Sequence, residues 1–90
     1  MPTISVFYGI LIEMFWNDHP PPHFHVRYEG YRAVVLIETG EIDHGRLPTG
    51  VRRDIRAWTA RHRAELLANW ERARLLQPLW PVKGADEDGD

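Results

Sequence analysis

Three of the five histidines, His19, His23 and His25, crowd one short stretch, with Asp18 ahead of them and Arg27 just beyond. Imidazole changes charge near neutral pH and also binds metals, so the cluster points to three kinds of chemistry. In the first, one histidine takes a 2′-hydroxyl proton and another protonates the leaving oxygen. Arg27 or a helix arginine steadies the developing charge, and His19, His23, His25 and Arg27 then form a metal-free RNA-cleaving set. In the second, His23 and His25 project the same way from a strand, and Asp18 or His19 completes a site suited to Zn²⁺, Ni²⁺ or Fe²⁺. In the third, the histidines hydrogen-bond backbone groups and Asp18 caps a turn, fixing a corner without chemistry. No further ligand stands at a signature spacing, so no metal or other cofactor is assigned.

The corner must be positioned by what surrounds it. Pro20 to Pro22 lock their own φ and restrict the residues before them, which predicts a stiff extended rod holding His19 apart from His23. Beyond it, residues 23–28 alternate. His23, His25 and Arg27 are expected on one face of a strand, with Phe24, Val26 and Tyr28 on the other. Residues 10–16 read as a nearly all-apolar strand, with Leu11, Glu13 and Phe15 sharing one face, after a short leading strand and a bend at Gly9. Glu29-Gly30 turns the chain into a strand over 32–38, and Thr39-Gly40 turns it again toward a short edge strand ending at His44.

Leu47-Pro48-Thr49-Gly50 opens a helix with Thr49 as its expected N-cap. Val51, Ile55, Trp58, His62, Leu66, Trp70 and Ala73 recur at helical spacing and form the stripe that faces the sheet. His62 is expected to be a hydrogen-bonded core residue, and the length of the pattern allows a break near His62-Arg63. The architecture is therefore α+β: an antiparallel sheet of three to four strands, then one or two C-terminal helices packed on one face. Residues 1–83 form the single domain, and residues 84–90 are expected to be a disordered acidic tail. Both faces of the early strands look apolar, so a cognate small protein or a second copy of the chain is the expected partner for the uncovered face.

Charge is unevenly spread. The net charge is −2, yet residues 1–45 carry two arginines against six acids, while residues 46–83 carry eight arginines and one lysine against three acids. Arginine suits phosphate and carboxylate, so Arg52, Arg53, Arg56, Arg61 and Arg63 are candidates for binding nucleic acid, RNA included, or an acidic protein partner, and the chain's own acidic first half is a third candidate. There is no cysteine, which excludes disulfides, thiolate metal sites and a cysteine nucleophile. No apolar run is long enough to span a membrane, and the first residues lack a signal-peptide pattern, so a cytoplasmic protein without membrane contact is expected.

Phe7-Tyr8-Gly9-Ile10, Asn17-Asp18-His19 with Pro21-Pro22-His23-Phe24-His25, and the later Gly45-Arg46-Leu47-Pro48, Trp58, His62-Arg63 and Asn69-Trp70 together resemble the prokaryotic family called domain of unknown function 4160. The resemblance runs from residue 1 to about residue 76 and departs from the family pattern at Pro20. It implies a small component of a toxin-antitoxin or related defence module, acting through protein contact and RNA cleavage. It transfers no catalytic residues.

Overall fold

The computed structural model describes residues 2–88. Five strands, β1 (Thr3–Phe7), β2 (Ile10–Glu13), β3 (His23–Tyr28), β4 (Tyr31–Leu36) and β5 (Ile42–Gly45), pair in sequence order as one antiparallel meander. This is one strand more than the upper expectation. The short edge strand expected to end at His44 is present as Ile42–Gly45 and pairs against β4.

Two hairpins set the register. Tyr8-Gly9 and Glu29-Gly30 each have positive φ at both positions, the conformation of a two-residue turn whose twist matches the strands. Phe7 is thereby placed opposite Ile10, and Tyr28 opposite Tyr31. Gly9 is thus half of a tight turn.

A single helix, α1 (Thr49–Arg74), follows the sheet, with non-helical angles at His62 marking a kink. Its N-cap is Pro48, and no side chain caps the first turn, so Thr49 is the first helical residue and not the cap. Val51, Ile55, Trp58, His62, Leu66, Trp70 and Ala73 are all buried, joined by Thr59 and Asn69. They meet Ile12, Phe24, Val26 and Val35 from one sheet face. Trp58 lies at the centre, with its ring 5.1 Å from Phe7 and 5.8 Å from Phe24. None of the described helices is long and apolar enough to cross a membrane.

The C-terminal segment is fastened to this body. Trp58 Nε1 donates to the Lys83 carbonyl, Trp16 Nε1 donates to the Gln77 carbonyl, and the buried Asn69 amide bonds both backbone groups of Trp80. Residues 84–88, expected to lie in a disordered tail, are placed as well. Gly84 packs against Phe7, residues Ala85–Glu87 make one 3₁₀ turn, and Asp88 reaches the buried His62 at 2.8 Å. A carboxylate that meets a buried imidazole has a reason to be ordered that composition does not show. Gly89 and Asp90, the rest of the expected tail, lie outside the described residues.

Candidate functional site

The polar corner forms where the chain leaves β2, crosses to β3 and meets the end of α1. Asn17 takes a positive φ, and its N–H donates to the Ala73 carbonyl, tying the crossing to the last helical turn. The proline run that follows bends at Pro20 and Pro21 and is not a straight rod. His19 and His23 are brought together and not held apart, with ring centroids 5.8 Å from each other. The Pro20–Pro21 peptide bond is cis.

Asp18 is the hub. Its Oδ1 accepts the His19 backbone N–H at 2.9 Å and faces His19 Nδ1 at 3.0 Å. Its Oδ2 faces His23 Nε2 at 2.9 Å and His25 Nε2 at 3.4 Å. Burial pushes the Asp18 carboxyl up, but the His19 N–H and the two imidazoles outweigh it and hold it below the usual carboxylate value. His23 is buried and backed by Trp70, 5.1 Å away, and His25 is half-buried and backed by Phe15 at 4.5 Å. The His23 tautomer follows from its other nitrogen. Nδ1 lies 2.7 Å from the Pro21 carbonyl oxygen, which can only accept, so Nδ1 carries a hydrogen.

A second arrangement begins at His25. The alternation along β3 puts His25 and Arg27 on the sheet face away from α1, as expected. Register then places Glu13 and Val34 beside His25, Arg32 beside Arg27, and His44 beside Val34. These residues, with Phe15 and Gly45, line an open cavity of about 250 Å³. Glu13 is 2% exposed, and its partner is Arg27, with Nε 3.7 Å from Oε1. Arg32 is exposed and has no carboxylate within ion-pair distance among the described residues. The uncovered face, expected to be apolar, is charged around this cavity. Gly45 is obligatory there, since a side chain would collide with the backbone of Arg32 and Ala33.

Of the expected catalytic set, His23 and His25 meet at Asp18, Arg27 lies along the strand beside Glu13, and His19 is exposed at the rim. His23 has both ring nitrogens engaged. The helix arginines do not join this site, because α1 covers the opposite sheet face. Arg52, Arg53 and Arg56 line a shallow depression near Gly40, and Arg56 pairs with Glu41 at 3.3 Å. Arg63 Nε donates to the Ile37 carbonyl, and Arg61 is exposed. Arg32 and His44 are members of the cavity that residue type alone does not mark. The Glu29-Gly30 hairpin carries the signal for Arg32, since a two-residue turn pairs position 27 with position 32.

No curated protein and no solved structure matches this chain. A family described as Domain of unknown function (DUF4160) matches residues 9–71, a span that contains the histidine corner, β2 to β5 and most of α1. That span is well over half of the chain, and the protein belongs to the DUF4160 family.

Proposed function

We propose that the open sheet face binds single-stranded RNA through its phosphates, as the ligand-contacting surface of a small toxin-antitoxin or defence-module component. One observation carries this reading: Arg27 and Arg32 stand directly opposite each other on an uncovered sheet face, with Glu13 buried beneath and balancing only Arg27. Like charges in register oppose strand pairing. An arginine pair held this way gains when an anion bridges it, and the planar guanidinium suits a phosphate oxygen pair.

Two neighbours favour a nucleic acid strand over a free anion. Phe15 lines the same cavity and offers an aromatic surface on which a base can stack. The face is an antiparallel sheet, a surface that presents its side chains in rows to an extended strand.

The test is fluorescence anisotropy with a short labelled single-stranded RNA across a salt series. Arg32→Ala is the informative variant, because it leaves the Glu13–Arg27 pair in place. It is expected to weaken binding about tenfold and to reduce the salt slope by about 1. Wild-type binding that is flat with salt, or equal affinity in the variant, would overturn the reading.

A further inference from the structure

We infer that Asp18, His23 and His25 bind one divalent transition-metal ion, with zinc as the ion of choice for the test. The Asp18 carboxylate oxygen and the two imidazole nitrogens lie within 4.8 Å of one another. Nitrogen and carboxylate donors in this set suit a borderline-soft ion and not calcium or magnesium.

The geometry suits a metal ion as well as protons. The Pro21 carbonyl claims the Nδ1 hydrogen of His23 and turns Nε2 toward Asp18. A metal-ligating histidine is commonly fixed in this way, by a carbonyl on its far nitrogen. Both Nε2 atoms then aim at one oxygen, Oδ2 of Asp18, at 2.9 and 3.4 Å. A proton-only arrangement requires each of those nitrogens to donate to the same oxygen, and the His25 distance is long for that. It is close to the ~3.3 Å edge expected between donors on a tetrahedral ion with bonds of about 2.0–2.1 Å, and the 2.9 Å His23 contact, now at hydrogen-bond length, has to open by about 0.4 Å to reach the same edge.

The donors are also held in place. Trp70 packs against the His23 ring, Phe15 against the His25 ring, and the His19 N–H orients the Asp18 carboxylate through Oδ1. Three protein donors leave at least one coordination position for water or for an incoming oxygen. His25 also lines the arginine cavity, so that position lies beside the proposed RNA surface, although metal binding does not depend on RNA.

Zinc should be titrated into the untagged, chelator-treated full chain against a chromophoric competitor. One equivalent is expected to bind, with thermal stability rising as zinc is added. Asp18→Asn and His25→Gln are expected to weaken zinc binding at least tenfold each, and His23→Ala more. His25 is half-buried, so its variant remains informative if His23→Ala fails to fold. Arg32→Ala should keep zinc affinity while weakening RNA binding, which separates failure of the ion site from failure of the RNA surface. Absence of stoichiometric binding, or affinity unchanged in both Asp18→Asn and His25→Gln, would overturn the inference.

Discussion

Trp58→Ala is expected to cost about 3–5 kcal/mol of folding stability, the usual range for emptying a buried aromatic site. Trp58 is 1% exposed and is the side chain through which α1 meets Phe7 of β1 and Phe24 of β3 at once. Its indole N–H also holds the Lys83 carbonyl, so the substitution removes core volume and releases the C-terminal segment. In a domain of this size each kcal/mol corresponds to about 4–8 °C of unfolding midpoint. The midpoint should therefore fall by roughly 12 °C or more. Trp58→Phe keeps most of the volume and loses the donor, and an intermediate fall is expected. Urea denaturation of the three proteins measures this directly, and a loss below about 1 kcal/mol in Trp58→Ala would contradict the central position of the ring.

Stability should fall as pH rises through and above neutrality, and His62 is the reason. Its buried ring lies 2.6 Å from Glu65 Oε1 on one side and 2.8 Å from Asp88 Oδ2 on the other. Burial disfavours the charged ring, but hydrogen bonds and charge attraction from Glu65 and Asp88 outweigh it and raise the imidazole above its ordinary value of 6.5. A group whose folded value is raised binds more protons in the native state, so its contribution is complete below the unfolded value and disappears as pH climbs through the folded one. Each unit of the shift is worth about 1.4 kcal/mol. Asp88→Asn keeps the shape and removes one of the two negative partners. It should lower stability at pH 6, matter much less at pH 9, and flatten the slope between them. Denaturation midpoints of wild type and variant across this range decide the matter, and parallel curves would exclude His62–Asp88 as the source.

The strands and the helical stripe were legible because each rests on a local period. Two-residue alternation placed Phe24 and Val26 inward and His25 and Arg27 outward, and helical spacing from Val51 to Ala73 predicted the buried face of α1. The corner was only half legible. The residue types in Asp18 to His25 announced chemistry, but convergence on Asp18 depends on which way the proline run turns, and proline's fixed φ is compatible with more than one direction. Arg32 and His44 join the cavity through pairing across strands, information carried by register and not by neighbouring residues. Residues 84–88 read as tail because four of the last seven residues are acidic. Their placement comes from two facts beyond the reach of composition: Gly84 lies against Phe7, and Asp88 finds a buried imidazole 26 positions earlier.

The Val82 N–H donates to the Ile4 carbonyl at 2.8 Å, which has a bearing on solubility. β1 is an outer strand of the sheet and carries exposed Val6, with Tyr8 in the turn that follows. Such an edge invites another strand, and here Val82 occupies one position of its hydrogen-bonding row. The opposite edge, β5, is protected differently, by being short and by carrying Asp43 and His44. Cutting the chain after Pro81 would remove the guard on β1, together with the Lys83 and Asp88 contacts to α1, and leave the outer edge of that strand open to solvent. Self-association through that strand, visible as concentration-dependent light scattering, is then the consequence to watch.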